Sequence, residues 1–154
     1  MPLLKSWVES ANTPDTDFPL NNLPYGAFKT EDDEAHCGVA IGDMILDVTA
    51  LEDAGILMAS EEEDEVFFFG DWTEFMAMGP DVWAAYRAKL TALLSAENGD
   101  APELVPFLVP QIGTQMLMPF AVSEFTDFYS SKHHATNVGT MFRGAENALP
   151  PNWL

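Results

Sequence analysis

At 154 residues, 47% hydrophobic and 12% aromatic, the chain has the length and apolar content for one domain with a real core, or one domain and the start of a second. Its 25 acids against 6 Lys and Arg give a formal net charge of −19, which repels phosphate backbones and anionic lipid and so argues against nucleic-acid and membrane partners. The single cysteine, Cys37, excludes an intramolecular disulfide and a cysteine zinc site.

The opening MPLLKSWVESANTPDTDFP lacks the basic flank and long apolar run of a secretory leader. No apolar stretch approaches transmembrane length, runs such as Val66–Phe69 being far too short. A soluble, cytoplasmic protein is the expectation.

In chain order, residues 1–24 are rich in Pro, Asn and Asp, with Trp7, Phe18, Leu20 and Leu23 as apolar anchors. They read as irregular structure wrapped on a surface, with room for a short edge strand. Pro24–Phe28 suits a strand, and the acidic run Glu31–Glu34 a solvated loop. His36–Ile41 and Met44–Val48 flank Gly42-Asp43 and predict a hairpin, because glycine takes the positive φ that a tight turn needs. Cys37 lies in the first of these strands and reads as a small buried hydrophobe rather than a nucleophile. Thr49–Asp53 predicts a helical turn ending near Gly55.

Glu61–Glu65 is five consecutive acids, a solvated loop rather than a cation site, since contiguous carboxylates do not converge as those of a spaced calcium loop do. Helices are predicted over Thr73–Gly79 and Pro80–Glu97. Pro80 stands at the first helical position, and Val82, Tyr86, Leu90, Leu93 and Leu94 form a core-facing stripe. Proline-punctuated Ala101–Pro110 reads as a linker and Gln115–Phe120 as a strand. The sum is a β-rich unit with one main helix.

The chemistry concentrates at the end of the chain. There is no Gly-rich phosphate loop, no paired-histidine zinc helix and no nucleophile elbow. Asp127 offers a carboxylate to a hard cation such as calcium or magnesium, or simply caps a turn. His134 titrates near neutrality and can take a proton from water, with His133 competing for the role. In an extended segment the two imidazoles would point to opposite sides. Tyr129 and Arg143 can hold an anionic substrate, or can serve as ordinary packing and surface pairing.

The stretch TDFYSSKHHATNVGTMFRGAENALPPNWL, together with Asn22-Leu23-Pro24-Tyr25-Gly26, Gly38-Val39-Ala40-Ile41-Gly42-Asp43 and Ile45-Leu46-Asp47, closely resembles the amino-terminal part of the fumarylacetoacetase family. The resemblance is weakest across Ser60–Glu65. It implies an SH3-like β-barrel over residues 1–118, and the opening segment of a larger mixed-β catalytic domain over 119–154. It also implies a cytoplasmic homodimer that uses Ca2+ and/or Mg2+. That enzyme hydrolyses a carbon–carbon bond of 4-fumarylacetoacetate to fumarate and acetoacetate, in tyrosine and phenylalanine catabolism.

By matched position, Asp127 corresponds to a metal ligand, His134 to the base that activates water, and Tyr129 and Arg143 to contacts with the dicarboxylate substrate. Lys132-His133 departs from the family's common Arg-Gln, and Phe125 from a common Tyr. The remaining metal ligands are expected beyond the end of this chain, so the chain alone is expected to be inactive. A non-catalytic interaction or dimer-support module, with Val66–Phe69 or Met116–Phe120 as its apolar patch, is the competing reading. An isomerase or decarboxylase on the same metal scaffold ranks third.

Overall fold

The computed structural model describes residues 3–31, 34–59 and 65–153. The acidic residues 32–33 and 61–64, for which solvated loops were expected, lie outside the described residues. The chain forms two compact units, Met1–Ala121 and Val122–Leu154.

Five antiparallel strands build the first unit: β1 (Tyr25–Lys29), β2 (His36–Ile41), β3 (Met44–Asp47), β4 (Leu108–Pro110) and β5 (Gln115–Leu117), in the order β4-β3-β2-β1-β5. Alternation decides which face each residue takes. Cys37, Val39 and Ile41 of β2 and Leu46 of β3 point into the core, whereas Gly38, Ala40 and Ile45 line the opposite face. The hairpin register pairs Ile41 with Met44 across a two-residue turn. Gly42 has φ 58°, and a Cβ there would fall 2.6 Å from the Ala11 backbone nitrogen, so both conformation and space demand glycine. β4 and β5 are the two edges, and no pairing joins them among the described residues.

Helices cover the core face of this sheet. Asp47 ends β3 and caps α1 (Val48–Asp53), its Oδ1 accepting from the Ala50 amide at 3.0 Å while Oδ2 lies 2.7 Å from His36 Nδ1. The short α2 (Thr73–Ala77) leads into the long α3 (Pro80–Leu94), which starts on Pro80 as predicted. Tyr86, Leu90 and Leu94, four residues apart, are fully buried, each leucine contributing about 1.5–3 kcal/mol of hydrophobic stabilisation. The helix stops three residues before the predicted Glu97. There the amino-terminal segment competes for its last turn: Ser6 Oγ donates to the Leu94 carbonyl, Trp7 Nε1 to that of Leu93, and the Ala96 amide donates to the Lys5 carbonyl. The edge strand allowed for in residues 1–24 is reduced to one bridge, Ser6 with Ser95.

Ala101–Pro110 is not a linker. It forms α4 (Ala101–Leu104), a 3-10 turn over Val105–Phe107, and β4, which pairs with β3. Pro110 is tolerated because β4 is an edge and its missing N–H breaks no inner ladder. The core is rich in aromatic contacts: Phe67 packs on Trp72, Phe75 and Tyr86 with ring centroids 4.9–5.7 Å apart. Cys37 is buried, and burial among acidic neighbours pushes its thiol pKa well up, which leaves it an inert apolar group. Among the described residues no helix is long and apolar enough to cross a membrane.

Candidate functional site

The second unit is built on α5 (Lys132–Arg143). Residues 122–131 before it take no regular structure, and Ser131 starts the helix by accepting the His134 amide on its Oγ at 3.3 Å. Gly144, with φ 80°, ends it. The chain then turns back over Ala145–Asn147 and lays the Ala148 carbonyl against Gly139. A Cβ on Gly139 would sit 1.8 Å from that oxygen, so the contact exists only because the residue is glycine. Ala135 and Gly139, four apart, are the buried stripe of this helix.

The five residues singled out from the sequence are placed as follows. His133 and His134 occupy the first helical turn, so they diverge by about 100° rather than facing opposite ways as an extended segment would have them. Both are exposed, but their surroundings differ. The Tyr129 ring stands edge-on to His134, at 90° and 5.2 Å between centroids, and stacks on Trp153 at 6.1 Å. Among the described residues no such ring contact involves His133. Trp153 is therefore one wall of the site.

Arg143 lies nine residues beyond His134, about 13 Å along the helix axis. Its guanidinium holds the returning chain, Nε donating to the Asn147 carbonyl at 3.2 Å and Nη2 to that of Ala148 at 2.8 Å. A guanidinium has five N–H donors, so these two bonds leave three for an anion. Asp127 is exposed in the irregular stretch. The structure thus brings Tyr129, His134 and Trp153 together and leaves Asp127 and Arg143 as separate contributions. Ser131 and Gly139 were missed as organisers of this unit, although Ser131 eight residues before Gly139 and thirteen before Gly144 is a readable start-to-stop pattern.

A hard divalent cation asks for six or more oxygens, and the described residues contain no group of three or more His, Cys, Asp or Glu able to hold a metal. Asp127 suits such an ion as one ligand, but the described residues do not complete a site.

With this geometry in view, the affinities of the chain are clear. Residues 21–119 match the family model described as Fumarylacetoacetase N-terminal. The chain is 42% identical over 159 aligned residues to the fumarylacetoacetase of Dictyostelium discoideum, covering 100% of this chain and 37% of that protein. It is 44% identical to that of Mus musculus over 91% of this chain and 35% of the relative, and 38% identical to that of Arabidopsis thaliana over 100% and 38%. The chain is a sheet-built domain followed by a capped helix whose His134 meets Tyr129 of the irregular stretch before it. The chain belongs to the fumarylacetoacetase family, and it spans little more than a third of the length of these relatives.

Proposed function

We propose that this chain provides the amino-terminal domain and the opening of the catalytic domain of a fumarylacetoacetase-type hydrolase, which cleaves a carbon–carbon bond of 4-fumarylacetoacetate to give fumarate and acetoacetate. The observation that carries the reading is that likeness to fumarylacetoacetases runs through the whole chain, terminal segment included. The domain boundary is proposed at 118/119. A compact unit ending at Ala121 and a family match ending at residue 119 support it.

In this reading His134 takes a proton from the attacking water. Its imidazole is exposed, with the Tyr129 ring edge-on beside it, and the Ser131 cap fixes the backbone amide that carries it. Tyr129 and the spare donors of Arg143 position the substrate carboxylates. Asp127 supplies one oxygen to a divalent cation, Ca2+ and/or Mg2+. The remaining ligands come from the family's longer chain, and for that reason the 154-residue piece by itself is inactive. The working enzyme is a cytoplasmic homodimer, and because this chain's net charge of −19 repels the dicarboxylate at long range, local positive charge such as that of Arg143 must attract it.

The test uses the full-length enzyme that carries this segment and follows loss of fumarylacetoacetate's ultraviolet absorbance. His134→Ala is expected to lower kcat by roughly 100-fold or more, whereas His133→Ala stays within a few-fold of the parent. A His134→Ala enzyme of undiminished rate would refute the assignment of the base. Tyr129→Phe keeps the ring contact and removes the hydroxyl, so a raised KM with kcat nearly unchanged is the signature of substrate holding.

The interaction-module reading keeps one observation in its favour. Phe68, Phe69, Met116 and Met118 are exposed, at 64%, 71%, 61% and 68%. Val66 and Phe67, grouped with that patch in the sequence, are instead buried.

A further inference from the structure

The first unit contains a pocket that takes no part in the chemistry above. It has a volume of about 580 Å³, within the range of small-molecule sites, and opens between β1, α2 and α3. Tyr25, Trp72, Phe75, Trp83 and Phe120 form its apolar walls, with Arg87 among them. The aromatic surface is preassembled: Tyr25 stacks on Trp72 at 4.5 Å with the planes 9° apart, and Phe75 meets Trp72 edge-on at 5.3 Å. The Trp72 amide donates to the Pro119 carbonyl at 2.8 Å and so anchors the segment that brings Phe120 to the rim.

The polar groups of the wall decide what the pocket would accept. Both indole N–H groups are spent on backbone, Trp72 on the Gly26 carbonyl at 2.8 Å and Trp83 on that of Phe75 at 2.9 Å. Neither asks for a ligand acceptor. Arg87 donates through Nη1 to the Leu23 carbonyl and lies over the Tyr25 ring, its Cζ 5.5 Å from the centroid. That bond leaves donors of the guanidinium over. Among the described residues Arg87 forms no ion pair, although the chain has 25 acids for 6 Lys and Arg. A guanidinium with donors to spare in the wall of an aromatic pocket is complementary to an apolar anion. The net charge of −19 in turn disfavours multiply charged ligands at long range.

We propose that this pocket binds a small aromatic monocarboxylate, its ring against Tyr25, Trp72 and Trp83 and its carboxylate on Arg87. No residue of the second unit is used, so the site stands or falls independently of the hydrolase reading.

The test is a nuclear magnetic resonance titration of the 154-residue chain, following the indole N–H signals of Trp72 and Trp83. The probe, 2-naphthylacetate, is expected to shift both signals saturably, while its neutral isostere 2-naphthylacetamide binds at least ~10-fold more weakly. Arg87→Gln is expected to bring the acid down to the level of the amide, and Arg87→Lys to restore part of the preference. Equal binding of acid and amide to the wild-type chain, or indole signals unmoved at about 10 mM probe, overturns the proposal. If Arg87→Gln does not fold, the wild-type comparison of acid with amide still decides.

Discussion

Glu52 is the residue whose surroundings least suit its charge. It is buried, its Oε2 accepts from the Phe67 amide at 2.7 Å, and among the described residues its Oε1 finds no hydrogen-bond partner, nor does the Tyr86 hydroxyl. Burial raises the carboxyl's pKa above its ordinary value, against the opposing backbone hydrogen bonds. A raised folded-state pKa contributes stability that is complete below the unfolded value and is lost as pH rises through the folded one. Glu52→Gln keeps the acceptor for Phe67 and removes the charge. At neutral pH it is expected to stabilise the chain by about 1 kcal/mol, with the gain vanishing in acid. Thermal melts of both proteins at a series of pH values check this, and a variant less stable at pH 7 would sink the account. Gly42 gives the opposite case. Gly42→Ala is expected to cost about 1–3 kcal/mol, read as a lower denaturant midpoint at unchanged slope, because φ 58° and the neighbouring Ala11 backbone both exclude a Cβ.

Among the elements, α5 is the one whose existence the proposed chemistry depends on. Its start rests on the Ser131 cap and its packing on the Gly139–Ala148 contact. Ser131→Ala is expected to cost about 1 kcal/mol of local helix stability and to speed hydrogen exchange at the His134 amide. Gly139→Ala would push the Ala148 carbonyl away and strip Arg143 of its 2.8 Å bond. The expected readout is faster proteolysis within residues 145–153, with the melting of the first unit unchanged. Equal cleavage rates would mean that the turn does not depend on this contact. For the same reason Arg143→Ala is a poor probe of substrate binding, since it removes a structural clamp as well as a charge.

At the scale of the whole molecule, charge dominates. With 25 acids and 6 Lys and Arg, self-repulsion opposes the compact state and is screened by salt. Raising the salt from about 0.02 M to about 0.5 M is expected to raise Tm by several degrees. A Tm that falls or stays flat would show that the acids are spaced widely enough not to matter. The proposed need for metal ligands beyond Asp127 adds a second expectation: purified 154-residue chain supplied with calcium and magnesium shows no turnover of fumarylacetoacetate, and measurable turnover would overturn that need.

Local patterns carried much of this protein. The alternation around Gly42-Asp43 specifies the β2–β3 hairpin because side-chain period and turn geometry are both local. Pro80 and the Tyr86–Leu90–Leu94 spacing specify α3 for the same reason. The terminal motif carries the family because it is long and rich in chemically distinctive residues. What lay outside the reach of local reading depended on partners distant along the chain. Ala101–Pro110 becomes helix and edge strand because β3 offers it a ladder, and α3 ends early because Lys5–Trp7 claims its final carbonyls. Trp153 becomes a wall because Tyr129 is there to receive it, which in turn separates His134 from its neighbour. The pocket beside Arg87 joins side chains from β1, α2, α3 and residues 119–120. No periodicity encodes such a convergence, because only the packed chain brings those residues within contact distance.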